Sequence, residues 1–325
     1  MLNFIFEQLK NNIFQLLYKK NIINKVIHLN KKNFQNSKKR RSNNIVLVEF
    51  SNLNSSLLPF SIFAKVLSDK YDSRIFAFDH FIFHGKLSYL KFFLRKFLFS
   101  YLYKIYGSFG VEQFINVNHK LILDDNIKKK IKKIINKIKN NNNLINLKVD
   151  NVYLGDLIYD TYLKKFSKET IEINSDHFKF FLEHCLCDYY FWKNYFKKNN
   201  IKSLIVSHTI YMSALPLRIA ISKKIPSYMV SLTHVYSLTK KNMYAYNEFK
   251  FFKKTFKLLK DKKNKLLTAK KQLDKRFKGE IGVDMLYSSK SAYTGYDNNK
   301  RVIKKSKKIK IIIAPHCFFD SPHGL

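Results

Sequence analysis

A strand that is covered on both faces reads as a short unbroken apolar run rather than an alternation, so such runs constrain a fold strongly. The segments 45-IVLVEF-50, 74-RIFAFD-79, 202-KSLIVSH-208 and 226-PSYMVS-231 have this character. Helical patterns separate them. After the Ser/Asn-rich turn Ser51 to Ser56, 57-LLPFSIFAKVLSDKY-71 repeats apolar residues at helical spacing, with Pro59 in an early turn that tolerates its missing N–H. Strand, helix and strand within about 35 residues form a βαβ unit, whose crossover is right-handed and whose strands are parallel. The spacing predicts further helices over 86–106, 124–140, 176–198 and 212–224, and a strand over 113–118. Residues 45–235 therefore read as an α/β unit with one Rossmann-like parallel sheet flanked by helices.

A lysine-rich helical pattern continues from Tyr246 to about Lys278, so 45–278 is taken as one domain. Residues 279–308 are low in hydrophobicity and read as a linker, and the run IIIA at 311–314 opens a new segment, 309–325. Ahead of the first strand, 1–44 is a basic amphipathic segment with Leu2, Phe6, Leu9, Ile13, Phe14, Leu16 and Leu17 at helical spacing and the run Lys38-Lys39-Arg40-Arg41. It has no basic residue before its apolar part and no small-residue cleavage site, which argues against a signal peptide. A packed helix or a helix on a membrane surface fits it.

The formal net charge of +38 points to phosphate-bearing partners, nucleic acid or an anionic membrane surface. Only seven of the 61 basic residues are arginine, however, and Lys is accompanied throughout by Asn, Ile and Phe, as in AT-rich coding sequence. Much of the charge is then solvated surface, and specific nucleic-acid binding is not expected. The chain has eight glycines and neither G-x-G-x-x-G nor G-x-x-x-x-G-K-[ST], which disfavours dinucleotide binding and NTP hydrolysis. No apolar run is long enough to span a bilayer. Cys185, Cys187 and Cys317 have no metal-ligand spacing, and in a helix the two near neighbours point about 200° apart, so core packing is expected and no metal.

Chemistry in open α/β sheets sits beyond the carboxyl ends of the strands. Glu49 ends the first run, and His208 follows the run at 202–207 with Thr209 and Tyr211 beside it. Each could meet a substrate, or merely be a solvated carboxylate and a hydrogen-bonded loop histidine. Arg218, on the next helix, could hold a phosphate or a carboxylated sugar, or make a surface ion pair. Within 155-GDLIYDTY-162, Asp156 and Asp160 are candidates for a base, against the commoner role of a helix cap. The last loop carries His316, Asp320, Ser321 and His323 between two prolines. Its histidines could bind phosphate or act as a base with Asp320 fixing a tautomer, or satisfy local carbonyls in a rigid loop.

Four phrases, 152-VYLGDLIYDTYLKK-165, 205-IVSHTIYMSALPLRIA-220, RFKG at 276–279 and 313-IAPHCFFDSPHG-324, together resemble bacterial capsule and surface-polysaccharide biosynthesis proteins, which are similar to GT-B glycosyltransferases. The resemblance covers roughly 45–325. It implies that 45–278 is the N-terminal, acceptor-side half of a GT-B-like architecture and that 309–325 starts a second, donor-side Rossmann-like domain. The implied reaction moves a sugar from a nucleotide sugar to a glycan or lipid-linked acceptor, with no metal and no cofactor beyond that co-substrate. It further implies a place in the cytoplasm, peripheral at the inner face of the cell membrane. The second domain of that family is not in the sequence, so residues 1–325 alone are expected to lack transferase activity. A non-catalytic assembly protein of the polysaccharide machinery, or an inactive fragment, is the alternative.

Overall fold

A computed structural model describes residues 23–34, 42–51, 54–83, 87–119, 124–231, 234–245 and 252–281. The chain divides into two units, and the first takes in the described residues up to Ala245. Its sheet contains β1 (Asn44–Glu49), β2 (Arg74–Phe83), β3 (Val111–Asn118), β6 (Asn200–Val206), β7 (Ser227–Val230) and β8 (Val235–Leu238), with β4 (Lys148–Val149) and β5 (Val152–Tyr153) forming a separate small hairpin. The strand order is β3-β2-β1-β6-β7-β8. Every neighbouring pair in it is parallel except β7 and β8. An α/β protein with a mostly parallel, Rossmann-like sheet is thus what the apolar runs encode.

The centre of the sheet shows why those runs are continuous. Ile45 and Leu47 of β1 enter one hydrophobic cluster while Val46 and Val48 enter the other, and all four are fully buried. Successive side chains point to opposite faces, so a strand with both faces covered must be apolar at every position. Each such side chain contributes about 1.5–3 kcal/mol relative to exposure, and this makes β1 the anchor of the fold.

One face is covered by α5 (Asp125–Lys137), α6 (Asn141–Ile145), α7 (Gly155–Phe166), α8 (Asp176–Lys198) and α9 (Leu215–Ser222). The other is covered by α2 (Asn54–Tyr71), α4 (Ser100–Ser108) and α1, residues 23–34. Helix starts follow local chemistry: Asp124 Oδ1 accepts from Ile127 N at 2.7 Å to open α5, and Ser175 Oγ accepts from Phe178 N at 3.2 Å to open α8. In α1, Ile23, Val26, Ile27 and Phe34 pack against the core, and buried Asn30 donates to Ser108 Oγ at 3.0 Å. That part of the amphipathic N-terminal segment is a packed helix; residues 1–22 lie outside the described residues.

The helix expected over 86–106 is two helices, α3 (Ser88–Leu98) and α4, separated at Phe99. The break lets α4 bury Tyr101, Leu102, Ile105 and Tyr106, while of α3 only Ser88 is buried. The second unit begins at Tyr246, within the range 45–278 read from the sequence as one domain. Its described helices, α10 (Phe252–Leu258) and α11 (Lys262–Phe277), contain no buried residue. The strand expected at 311–314 and most of the linker at 279–308 lie outside the described residues. Among the described residues no helix is long and apolar enough to cross a membrane.

Candidate functional site

Chain connections run outward from β1 through β2 to β3 on one side, and from β6 to β7 on the other. The order therefore reverses between β1 and β6, and loops leaving these two strands diverge to opposite faces. A crevice at their carboxyl ends is the geometric result. Here it is an open cavity of about 590 Å³, with Glu49, Asp79, His80, Arg95, Lys164 and His208 as its charged or titratable lining and Phe50, Ser51, Ile82, Phe99, Leu102, Tyr211 and Ser213 between them.

Glu49 is the centre of this lining. It ends β1 as a buried carboxylate and bridges the reversal point, since its Oε2 accepts the backbone N–H of Ser207 just past β6. Its Oε1 lies 3.3 Å from His80 Nε2, and His208 Nδ1 stands 3.9 Å from the same oxygen, beyond hydrogen-bond length. His208 Nδ1 is instead within 2.7 Å of Ser207 Oγ. The backbone of the turn is held too: Tyr106 Oη donates to the Glu49 carbonyl at 2.7 Å and accepts from Ser51 N at 2.9 Å. Beside His80, Arg95 grips Asp79 with two hydrogen bonds, Nη2 to Oδ1 at 2.8 Å and Nε to Oδ2 at 3.0 Å.

The electrostatics follow from this packing. Burial alone would raise the Glu49 carboxyl, but the neighbouring imidazoles of His208 and His80 and the Ser207 N–H outweigh it and hold the group well below its ordinary range. Burial alone would depress His80, yet the Glu49 carboxylate, with Asp79 behind it, raises it above its ordinary value. Glu49 therefore contributes stability that is complete above its unfolded value of about 4.5 and is lost as pH falls through its lowered folded value. His80 contributes stability that is complete below its unfolded value of about 6.5 and is lost as pH rises through its raised folded value. The melting temperature should accordingly be highest between about pH 4.5 and 6.5 as far as this pair is concerned, with a decline on the alkaline side. His80→Gln should flatten that alkaline decline, and melting curves of both proteins from acid to alkaline pH check it.

A second buried pair lies at the end of β3, where His119 Nε2 is 2.5 Å from Asp188 Oδ1 of α8. Burial raises the Asp188 carboxyl, and the hydrogen bond from His119 opposes that only in part. Close by, Cys185 and Cys187 are buried free thiols; burial pushes Cys187 up to about 12 and Cys185 well above its usual value, which suits packing rather than nucleophilic chemistry. Among the described residues no group of His, Cys, Asp or Glu could hold a metal ion.

Of the residues singled out from sequence, the crevice brings together Glu49, His208 and Tyr211. Thr209 is buried in the same loop. Tyr211 has a positive φ of 60° and its ring lies 4.4 Å from Lys164 Nζ, so the loop presents it in a strained, cation-backed pose. Asp156 and Arg218 meet each other instead: they form a buried ion pair between α7 and α9 with Nη2 to Oδ2 at 2.6 Å. Arg218 is therefore not on a helix surface, and Asp156 is not the cap of α7, which starts from Leu154. Asp160, one turn further along α7, is buried as well. His316, Asp320, Ser321 and His323 lie outside the described residues, as does Cys317.

His80, Asp79, Arg95 and Lys164 were not read from the sequence as site residues. The strand-end rule that marked Glu49 and His208 applies equally to Asp79 and His80, which follow 74-RIFAF-78. Comparison with known protein families, with curated proteins and with solved structures finds no match to this chain.

Proposed function

We propose that this chain supplies the acceptor-side domain of a GT-B-like glycosyltransferase of surface-polysaccharide assembly, and that the crevice between β1 and β6 receives a glycan or lipid-linked acceptor hydroxyl. The observation that carries the reading is an ionised, buried Glu49 set at the reversal point of the sheet between two imidazoles that line an open cavity. The sequence resemblance described above supports the same choice of reaction.

In this reading His208 is the general base. It takes the proton of the acceptor hydroxyl while that oxygen forms a bond to the anomeric carbon of the donor sugar. The bond between that carbon and the diphosphate oxygen breaks, and the nucleotide leaves with the electron pair. Glu49, held below its ordinary range, is a weak base, but 3.9 Å from His208 Nδ1 its charge stabilises the imidazolium as it forms. His80, whose proton affinity the Glu49 carboxylate raises, and Lys164 both line the cavity and favour the negative charge that develops on the departing phosphate.

The test is transfer from a panel of nucleotide sugars to glycan and lipid-linked acceptors, with and without a donor-side α/β domain joined after residue 325. His208→Ala is expected to lower turnover by about 10²-fold or more, the size of a positioned base, while glycan binding followed by ligand-observed NMR persists. Absence of both transfer and glycan binding would sink the proposal.

A further inference from the structure

In a globular domain a surface helix turns its apolar stripe to the core and its charges to water. The helix α3, 88-SYLKFFLRKFL-98, is turned the other way. Leu90, Phe93, Leu94 and Phe97 are 57%, 70%, 51% and 74% exposed, and Leu87 and Tyr89 extend the same patch. At 100° per residue those four side chains fall within an arc of about 100°, and Lys91 and Lys96 lie about 60° beyond its two edges. Both lysines are exposed. The inward side of the helix carries Arg95, which is spent on Asp79 at the crevice wall.

We infer that α3 is an interfacial helix that seats this protein on an anionic lipid bilayer, with its aromatic and leucine face among the acyl chains and Lys91 and Lys96 at the headgroups. An exposed apolar arc bordered on both sides by long cationic side chains is what such a surface requires, because lysine stems can lie along the apolar layer while their charges reach the phosphates. Charge decides against a second copy as the occupant. From His80 to Val111 the sequence has no Asp or Glu, yet it carries Lys86, Lys91, Arg95, Lys96 and Lys104. A twofold contact through this face would set lysines against lysines with no acid between them. The inference does not depend on the transferase reading. It would place a bilayer next to the crevice, since Arg95 on the inward side of the same helix and Phe99 just after it line that cavity.

The experiment is flotation of the whole 325-residue chain with vesicles of phosphatidylcholine alone and of phosphatidylcholine containing phosphatidylglycerol. The wild type is expected to float with the anionic vesicles and to do so at least about tenfold less with neutral ones. Phe93→Ser with Phe97→Ser should lower partitioning to anionic vesicles by about tenfold or more, and Lys91→Glu with Lys96→Glu should do the same. All four side chains are exposed, so both variants should keep the circular dichroism and melting temperature of the wild type, and this is measured alongside. No wild-type flotation, equal flotation with neutral vesicles, or a smaller loss in either folded variant overturns the inference. So does a dimer in sedimentation analysis that Phe93→Ser with Phe97→Ser dissolves without any change in vesicle binding.

Discussion

Asp156→Ala is expected to remove about 3–5 kcal/mol of folding stability, enough to unfold a protein of ordinary marginal stability at moderate temperature. The Arg218 side chain is 1% exposed, and Asp156 Oδ2 takes its Nη2 hydrogen at 2.6 Å and the Tyr244 hydroxyl at 2.8 Å. Around them the guanidinium carbon lies 4.9 Å from the Tyr244 ring centroid and 5.7 Å from that of Tyr153. A guanidinium cannot shed its proton to escape burial, so deleting the carboxylate strands a charge. The pair is not a large net source of stability, because Arg218 Nε and Asp156 Oδ1 make no protein hydrogen bond among the described residues and carry a desolvation cost. Asp156→Leu with Arg218→Met should therefore recover most of the loss seen in the single variant. Urea titrations of the three proteins decide the matter: a single-variant loss under about 1 kcal/mol, or a double variant as weak as the single, contradicts a buried mutually dependent pair.

Gly155→Ala is expected to cost about 3 kcal/mol for a different reason. A Cβ at this position would stand 2.1 Å from the Ile145 carbonyl oxygen and 2.2 Å from that of Leu144. Those are backbone atoms at the end of α6, not flexible side-chain tips, so α6 or α7 must move as a body. Gly155 N also donates to the Leu147 carbonyl at 3.1 Å, which fixes the approach from the other side. Its φ is not positive, so close approach and not backbone freedom is the reason for glycine. A thermal melt within a degree of wild type would show that the α6 end yields freely.

The central sheet was legible because burial on both faces leaves a one-dimensional mark. The six residues 45-IVLVEF-50 could hardly be anything else, and β1 lies there. β8 left no such mark: 235-VYSL-238 is a short antiparallel edge strand whose first three residues are exposed or half-buried, so nothing forced it to be apolar. The helix period of α3 was readable but its direction was not, since periodicity says that a stripe exists and not which way it faces. Fixing that needed the neighbours, and the residue that turns the stripe outward is Arg95, anchored 16 residues back on Asp79. The site divides in the same way. Glu49 and His208 were found because each closes an apolar run, and Asp79 closes 74-RIFAF-78 in the same way, whereas Arg95 and Lys164 reach the crevice from helices and left no strand-end mark. The pairing of Asp156 with Arg218 joins positions 62 residues apart and left no local sign.

The place of β1 in the sheet also sets a timetable for the growing chain. One edge of β1 meets β2, which is complete by Phe83, but the other meets β6, and Asn44 and Asn200 at the start of that seam are 156 residues apart. At a translation rate of about 5–20 residues per second, the ribosome needs roughly 8–30 s to supply the partner. Through that interval the most apolar strand among the described residues must sit with a row of unpaired amides and carbonyls along one side, and Ile45, Leu47 and Phe78 wait for the cover of α8. A nascent chain of this design is a natural client for ribosome-bound holdases, and slowing elongation between codons 84 and 200 should raise its aggregation during synthesis rather than improve its folding.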